Sequence, residues 1–513
     1  MKSDAKRWRP QRIGIANDHV RVPYANGSSF ASQFLYREFT SRGHEVIVIG
    51  PEDPVAREEE LPQNRVLLSS VPLNAQPGVH LALPTRRGLR EVVRKRIDVF
   101  LGQTGTGMID LGLWLRRTHN VPFLSVNTFH WASYYQVMFP EAFRSNRALN
   151  YVFGERVIPW LERQIASAYN RSDGVVVLSG GLKQYWRDRG VTCPIHVIPR
   201  SVDPSIFDGP EGQDPFPQGT VKGHRLLSVC RHSREKSLER LLRIFARAVA
   251  PEDPLATLTL VGDGPDHQSL IDLAKELQLE GRVFFLGEKP LQEVQNYYRH
   301  ADLFVYTSLS ETYGQVVSEA LWCALPVVAM NDGMGVQQQI AHERDGILIN
   351  PGPDESLSDW RFGRAVVELL SHEERRLNMS QEARRRSRER CAPEQNIARF
   401  YEAFHLAKEH LDRTGANWNG AGCTASVSVP PSYHLARWAS IHVAASALGL
   451  FRKAELNPLE AGGLSSWDPS AKDATPASTA AEREKPLAGA EKLQAGVEKL
   501  QAGVEKLQLR RSL

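Results

Sequence analysis

Short apolar segments alternate with longer segments of helical spacing along most of this chain, and this alternation restricts the fold more than any other feature. In the first 200 residues, predicted strands cover residues 12–16, 45–49, 98–101, 123–126 and 174–178. Predicted helices lie between them, for example at residues 28–41 and 149–170. Strands that alternate with helices in this way are typical of a parallel, doubly wound sheet.

The same alternation begins again after a loop rich in proline, glycine and aspartate at residues 203–223. Predicted strands cover residues 225–229, 257–261, 283–286, 303–306, 326–329 and 346–349, with helices at 237–250 and 268–279 between them. We therefore expect two α/β domains, 1–203 and 204–393, followed by a helix at 394–412 that closes the fold.

The last hundred or so residues have a different character, because alanine, glycine, serine and proline dominate and the apolar periodicity fades. A seven-residue unit repeats near the end, and its a and d positions are Leu493, Val497, Leu500, Val504 and Leu507. The repeat is short and contains a helix-weakening glycine. We interpret residues 413–513 as a low-complexity, disordered tail. A weak oligomerisation helix is the alternative.

Composition argues against several classes of protein. The formal net charge of +4 over 513 residues does not indicate a nucleic-acid partner. The five cysteines are scattered without a C-x-x-C pair, as expected of reduced thiols in a cytosol. The basic N-terminus has no apolar signal-peptide core, and no run approaches the ~18 apolar residues of a membrane span. We expect a cytoplasmic protein, with peripheral contact to the inner face of the membrane as an open alternative.

Two glutamates follow the predicted strand at 303–306, at the edge where parallel sheets bind ligands. Glu311 lies in the loop, and a helix that begins at about residues 312–314 carries Glu319 a turn and a half inside it. The free N–H groups of its first turn, at Gly314, Gln315 and Val316, would seat a diphosphate. Glu311 can then accept hydrogen bonds from a sugar and Glu319 from a ribose. In isolation they would be a helix cap and a solvated helix residue.

A basic loop follows the predicted strand at 225–229 and contains Arg231 and Lys236, two candidate cations for a bound anion. The alternative is an ordinary basic surface loop. Gly262, which follows the next strand, is either a nucleotide contact or a simple turn residue.

The segment around the two glutamates resembles the family 4 retaining glycosyltransferases, which have the GT-B fold. The family pattern is Glu, seven residues, Glu-Ala, a Cys-Gly step and Pro-Val-Val-Ala. This chain has, in the same register, Glu311, Glu319-Ala320, Cys323-Ala324 and Pro326-Val327-Val328-Ala329. It departs from the pattern at Ala324 and at residues 332–335, Asp-Gly-Met-Gly, where the family has Gly-Gly. The resemblance covers about residues 12–410. It implies two Rossmann-like domains that face a cleft, the first for the acceptor and the second for the donor.

Other positions match the family less closely. Arg231 and Lys236 match its Gly-Arg and Glu-Lys steps, with Cys230 in place of the glycine. The resemblance implies that these two cations bind the nucleotide diphosphate, which gains negative charge as the glycosidic bond breaks, so that fixed cations lower the barrier. Gly27 matches a glycine-rich loop after the first strand that approaches the phosphate or the acceptor. His130 matches the histidine of a Thr-x-His pattern near the donor sugar, with a structural histidine as the alternative.

The segment between the two predicted domains, residues 197–203, matches the family pattern Ile-Pro-x-Gly-Val-Asp. Arg200 stands at the variable position, and Ser201 replaces the glycine. We find no Asp-x-Asp pair placed to hold a metal on a diphosphate, so we expect neither a metal nor another cofactor. The resemblance implies retention of configuration by attack from the leaving-group face, with the departing phosphate oxygen taking the acceptor proton.

The form of the motifs is nearest the branch that holds sulfoquinovosyl-diacylglycerol synthases and lipid mannosyltransferases. That likeness implies a UDP- or GDP-sugar donor and a lipid or polysaccharide-type acceptor. The basic stretch at residues 86–96 can bind an anionic membrane surface, and the alternative is a solvated helix face. Two other functions stay open: a GT-B relative such as a phosphorylase or a sugar-nucleotide epimerase, and a non-catalytic module that binds sugar nucleotides.

Overall fold

The computed structural model describes residues 9–18, 20, 27–72, 80–103, 107–127 and 147–415. Within them, the two predicted series of strands form two separate parallel sheets, which confirms the predicted doubly wound architecture. No helix in these ranges is both long and apolar enough to cross a membrane. The prediction of a tail with heptad repeats concerns residues outside the described ranges.

Seven parallel strands form the first sheet, and two short strands pair beside it as an antiparallel ribbon. In chain order the strands are β1 (Arg12–Ala16), β2 (Glu45–Pro51), β3 (Arg65–Leu68), β4 (Ser70–Pro72), β5 (His80–Ala82), β6 (Val99–Gly102), β7 (Phe123–Asn127), β8 (Gly174–Val177) and β9 (Ile195–Val197). The order across the sheet is β3-β2-β1-β6-β7-β8-β9, and β4 pairs with β5. The strands read as continuous apolar runs because both faces of the sheet are covered.

Among the described residues, six helices belong to this first part of the chain. They are α1 (Gly27–Ser41), α2 (Arg86–Arg94), α3 (Gly107–His119), α4 (Arg147–Val152), α5 (Ile158–Tyr169) and α6 (Gly180–Asp188). The helix predicted at 149–170 is in fact α4 and α5 joined by a π-helical turn, Phe153–Val157. Pro159 explains the interruption, because it has no N–H to donate to the preceding turn.

Six parallel strands form the second sheet. They are β10 (Arg225–Val229), β11 (Thr257–Val261), β12 (Val283–Phe285), β13 (Leu303–Tyr306), β14 (Val327–Met330) and β15 (Gly346–Ile349). Their order is β12-β11-β10-β13-β14-β15, so the direction of strand addition reverses between β10 and β13. Ligands of open parallel sheets bind at the carboxyl ends of the strands on either side of such a reversal.

The remaining helices surround the second sheet, except that the last one returns to the first. They are α7 (Pro204–Phe207), α8 (Leu238–Ile244), α9 (His267–Glu276), α10 (Leu291–His300), α11 (Gln315–Trp322), α12 (Glu355–Ser371), α13 (Glu373–Cys391) and α14 (Pro393–Gly415). Phe400 and Phe404 of α14 pack against Phe39 of α1, with ring centroids 6.0 and 5.6 Å apart. The helix predicted at 237–250 ends as an α-helix at Ile244 and continues as a π-helical turn, Phe245–Val249.

Candidate functional site

The loops after β10 and β13 bring the predicted donor residues together. These two strands are neighbours in the sheet, so their carboxyl-end loops meet although Lys236 and Glu311 are 75 residues apart. Hydroxyl groups join the loops directly. Thr307 Oγ1 donates to the carbonyl oxygen of Ser237 at 3.0 Å, and Ser308 Oγ donates to that of Glu235 at 3.1 Å. The reversal of strand order therefore builds the site.

Glu311 is buried, with 8% of its surface exposed, and one of its oxygens is saturated. Oε1 accepts hydrogen bonds from Lys236 Nζ at 2.5 Å, from the hydroxyl of Tyr306 at 2.8 Å and from Ser308 Oγ at 2.8 Å. No described residue donates to its second oxygen, Oε2. The side chain is thus held in one position while an oxygen stays available for a hydroxyl of a ligand.

The ion pair decides the charge of Glu311. Burial opposes ionisation of this carboxyl, but the ammonium of Lys236 and the hydroxyls of Ser308 and Tyr306 outweigh it and lower the pKa of Glu311 below its ordinary value. Burial likewise opposes the charge on Lys236, and Glu311 prevails by raising the pKa of that amine. Both groups are therefore charged at neutral pH.

Glu319 lies on α11 and has no cation within salt-bridge distance among the described residues. It is 6% exposed, and the hydroxyl of Tyr298 donates to its Oε2 at 3.0 Å. Burial raises the pKa of Glu319 to about 7, against the opposing effects of Tyr298, Gln315 and Arg200. The carboxyl is thus poised between its neutral and ionised forms near pH 7.

The helix that carries Glu319 begins at Gln315, close to the predicted start at residues 312–314. Its N-cap, Gly314, has a φ of 78°, in the left-handed region that favours glycine. A Cβ at position 314 would lie 3.4 Å from Cγ of Glu311, so the helix start lies close to the Glu311 side chain. The first-turn N–H groups, Val316 included, are those for which a helix has no internal acceptor. An anion is the group such a turn binds best.

Arg231 lies in the loop after β10 and is partly buried. Its Nη2 is buried without a hydrogen-bond partner in the part of the chain that the structure describes. A buried guanidinium N–H group without a partner costs free energy, and a bound anion would recover it. The prediction that Arg231 faces an anionic ligand agrees with this arrangement but is not tested by it.

Gly262 has a structural role that accounts for its identity. A Cβ at this position would lie 2.0 Å from the carbonyl oxygen of Cys230, and its φ of 132° already excludes most residues. Gly264 is equally confined, since its Cβ would lie 2.4 Å from the carbonyl oxygen of His232. The loops after β10 and β11 therefore pack backbone against backbone. This packing favours the turn reading of Gly262, and its predicted contact with the donor stays a prediction.

Asp332 occupies the place where the family pattern has Gly-Gly, and sequence reasoning gave it no role. Its carboxylate accepts hydrogen bonds from four successive backbone N–H groups of residues 334–337, at 2.9 to 3.1 Å. The N–H of Gly335 also donates to the carbonyl oxygen of Glu311 at 3.1 Å. This loop consequently braces the backbone of Glu311. The Asp332-Gly333 pair is the sequence feature that could have predicted this turn, because aspartate side chains commonly accept hydrogen bonds from backbone N–H groups of their own turn.

The candidates in the first part of the chain are less fully described. Gly27 is the first residue of α1, in the connection that follows β1, as its predicted place requires. His130 lies outside the described residues. The arginines of α2 at positions 86, 87, 90 and 94 are all exposed, so the predicted basic face exists. Among the described residues no group of three or more His, Cys, Asp or Glu side chains could hold a metal ion. Metal independence stays a prediction.

Two family models match the chain, one on each sheet. The model for Glycosyltransferase Family 4 matches residues 26–206, and the model for Glycosyl transferases group 1 matches residues 214–386. The second range contains both glutamates, Arg231 and Lys236.

Two curated relatives are similar over more than half of this chain, and a third is similar over 37% of it. An alpha-monoglucosyldiacylglycerol synthase from Streptococcus pneumoniae is 27% identical over 329 residues, which is 62% of this chain and 70% of the relative. The sulfoquinovosyl transferase SQD2 from Arabidopsis thaliana is 27% identical over 355 residues, 67% of this chain and 64% of the relative. An N-acetyl-alpha-D-glucosaminyl L-malate synthase from Bacillus anthracis is 30% identical over 190 residues, and the match spans less than half of it, 47%.

A solved structure shares the fold at low sequence identity. The crystal structure of Anabaena Alr3699/HepE in complex with UDP and glucose superposes with a TM-score of 0.58. It covers 76% of this chain and 98% of the other, with 17% sequence identity. The two-sheet architecture is therefore that of the GT-B fold.

Proposed function

This chain belongs to the family 4 glycosyltransferases, and on that premise we propose that it transfers a sugar, with retention of configuration, from a UDP- or GDP-sugar to a lipid or polysaccharide-type acceptor. The observation that carries the proposal is the buried Glu311–Lys236 pair beside the start of α11. A fixed hydroxyl acceptor and a fixed cation beside the free N–H groups of a helix start support a site for the diphosphate and sugar of the donor.

In the proposed complex, Lys236 and Glu311 contact different parts of the donor. The diphosphate lies on the N–H groups of Gly314, Gln315 and Val316, with Arg231 and Lys236 as its cations. Oε2 of Glu311 accepts from hydroxyls of the sugar, and Glu319 accepts from the ribose. Each group is held before the ligand arrives, so little reorganisation accompanies the reaction.

The bond-breaking step follows from this placement. As the glycosidic bond breaks, negative charge develops on the leaving diphosphate, and Arg231, Lys236 and the helix N–H groups stabilise it. The acceptor hydroxyl attacks from the same face as the leaving group, and a departing phosphate oxygen takes its proton. Configuration is retained, and no separate base is required.

The acceptor is proposed from likeness and from charge. The Streptococcus pneumoniae relative is a diacylglycerol glucoside synthase by name, and the Arabidopsis thaliana relative a sulfoquinovosyl transferase. The exposed arginines of α2 would attract an anionic membrane surface in which a lipid acceptor resides. We therefore favour a lipid acceptor at a peripheral membrane site.

The test is sugar transfer by Glu311→Ala and Lys236→Ala. Each variant is expected to lose at least about 100-fold in kcat while its circular dichroism stays native. Glu276→Ala and Lys275→Ala, two exposed residues of α9, are the matched controls and should keep wild-type turnover. Normal turnover in both site variants would refute the assignment.

Metal independence is tested in the same assay. Transfer should continue in excess EDTA at the rate without it, because the cations that neutralise the diphosphate are side chains. A complete loss that added Mg²⁺ or Mn²⁺ reverses would contradict this part of the proposal.

A further inference from the structure

Gln339 lies in the loop between β14 and β15 and is the buried member of three consecutive glutamines. It is 1% exposed, whereas Gln337 and Gln338 are exposed. Arg390 of α13 donates to the backbone carbonyl oxygen of Gln339, which fixes the point from which the side chain extends. A buried amide costs free energy unless its N–H groups and its oxygen find partners. The partners of this amide therefore indicate what it holds in place.

The amide of Gln339 joins two loops at the carboxyl end of the second sheet. Its Nε2 donates to the backbone carbonyl oxygens of Tyr313, of Gly314 at 3.1 Å and of Gly335 at 3.3 Å. Its Oε1 accepts from Ser318 Oγ. Two N–H groups are thus shared among three carbonyls, and the opposite orientation of the amide would turn its oxygen toward all of them. The contacts leave this side chain one position.

Two of these carbonyls belong to the peptide units at the start of α11. The carbonyl of Tyr313 and the N–H of Gly314 share one planar peptide, and the carbonyl of Gly314 and the N–H of Gln315 share the next. In a trans peptide the carbonyl and the N–H point in opposite directions, so a donor that fixes the carbonyl also fixes the direction of the N–H. A hydrogen bond to the carbonyl polarises the peptide and makes its N–H a stronger donor.

The two N–H groups on the other side of these peptides are available to a ligand. In the part of the chain that the structure describes, neither the N–H of Gly314 nor that of Gln315 donates to another group. In the proposed complex they bind the diphosphate together with Arg231 and Lys236. One buried side chain, Gln339, therefore orients both N–H groups from behind.

We propose that Gln339 is a positioning residue for the donor diphosphate: its buried amide holds the two peptide units that present the N–H groups of Gly314 and Gln315. This inference rests on the proposed function of the start of α11. In the proposed complex Gln339 does not touch the donor, and its effect reaches the ligand only through the backbone. Methionine has nearly the same length and volume as glutamine, so Gln339→Met removes the donors with little change in packing.

The experiment measures the affinity for UDP and for GDP by calorimetry in the wild type, Gln339→Met and Ser318→Ala. Ser318→Ala removes the partner of the amide oxygen and leaves the N–H donors in place, so it disturbs the same buried cluster without removing a bond to the two peptides. Gln337→Met, at an exposed position of the same loop, is the surface control. Gln339→Glu is a second site variant, because an ionised carboxyl keeps the shape of the amide but cannot donate.

Thermal unfolding without ligand and the calorimetric stoichiometry show how much of each protein is folded. We expect a loss of affinity that does not follow the loss of stability. Gln339→Met and Gln339→Glu should bind the diphosphates at least about 10-fold more weakly, since two charge-assisted hydrogen bonds lose their geometry. Ser318→Ala should lose less than about threefold although its Tm also falls, and Gln337→Met should match the wild type.

The transfer assay adds a readout that a general loss of stability would not produce. Gln339→Met should raise the KM for the donor and lower kcat, because the same N–H groups stabilise the leaving diphosphate. The KM for the acceptor should stay unchanged.

Two results would overturn the inference. One is a pair of variants, Gln339→Met and Gln339→Glu, that bind UDP and GDP as tightly as the wild type. The other is a loss in Ser318→Ala as large as that in Gln339→Met, which would mean that the buried cluster acts through stability alone. Lys236→Ala, measured alongside, separates this inference from the proposed function. If Lys236→Ala binds normally, or the wild type binds neither nucleotide, the proposed diphosphate site itself fails. If Lys236→Ala binds weakly while both Gln339 variants bind normally, only the role of Gln339 fails.

Discussion

Glu311 and Glu319 stand on either side of one helix start, are almost equally buried, and nevertheless differ in charge behaviour. Their exposed fractions are 8% and 6%. The pKa of Glu311 lies below its ordinary value, whereas the pKa of Glu319 is raised to about 7. The difference comes from their partners. Glu311 contacts an ammonium and two hydroxyls, whereas Glu319 accepts a hydrogen bond from one hydroxyl, and Gln315 and Arg200 oppose the effect of burial without overcoming it.

The comparison shows that burial raises the free-energy cost of ionising a carboxyl, and that the neighbouring groups decide whether this cost is offset. In the proposed complex, Glu311 is ionised before the donor arrives, so its contribution to sugar binding would need no proton movement. Glu319, with a pKa of about 7, would change its protonation when the nucleotide binds. The sugar grip and the ribose grip of one site would therefore respond differently to pH.

Removing the ammonium should have the largest effect on stability. Lys236→Met leaves a buried carboxylate unpaired, and we expect a loss of about 3 kcal/mol in the free energy of unfolding at neutral pH, at the low end for buried pairs because Lys236 is partly exposed. Urea denaturation measures it. The double variant Lys236→Met with Glu311→Gln should recover most of the loss. A single variant as stable as the wild type would mean that the pair does not control Glu311.

The second prediction concerns the pH dependence of stability at Glu319. Its folded-state pKa of about 7 exceeds the ordinary 4.5, so ionising it opposes folding. The wild type should therefore lose stability relative to Glu319→Gln as pH rises from about 4.5 to about 7, by up to about 3 kcal/mol. Glu311 should behave oppositely, losing its stabilising contribution as pH falls. Parallel Tm-versus-pH curves for the wild type and Glu319→Gln would contradict the contrast.

The prediction with the smallest expected effect concerns the loop at Gly335, which supports the backbone of Glu311 but not that of Glu319. A Cβ on Gly335 would lie 2.6 Å from the carbonyl oxygen of Glu311 and from Cα of Tyr313. Gly335→Ala should cost about 1–3 kcal/mol and reduce transfer by displacing this loop. Gly352→Ala is the control, because its Cβ would meet nothing closer than 3.9 Å. Equal thermal stability of both variants would show that the loop yields without strain.

The sequence predicted both glutamates and Lys236 because their spacing after two strands matches a known pattern. It did not identify Tyr306 or Ser308, the other donors to Glu311. Tyr306 is the last residue of an apolar strand, so the sequence predicts that it is a core residue. Ser308 is one of several small polar residues in its loop. Such roles depend on side-chain direction at a strand end, which periodicity does not specify.

Other parts of the prediction failed or were incomplete for equally local reasons. The long helices at 149–170 and 237–250 contain π-helical turns, and helical spacing of apolar residues does not reveal an extra residue in a turn. The sequence left Gly262 open between a nucleotide contact and a turn residue, and its close approach to the carbonyl oxygen of Cys230 became visible only in three dimensions.

The most direct test of the nucleotide site is ligand-induced thermal stabilisation. UDP, GDP, ADP and their sugars would be added to the wild type, Lys236→Ala and the control Lys275→Ala, since a ligand that binds the folded state raises its apparent stability. We predict that a uridine or guanosine diphosphate, or its sugar, raises the Tm of the wild type and of Lys275→Ala but not of Lys236→Ala. No stabilisation by any nucleotide, or an equal rise in Lys236→Ala, would contradict a diphosphate seat at Lys236 and the start of α11.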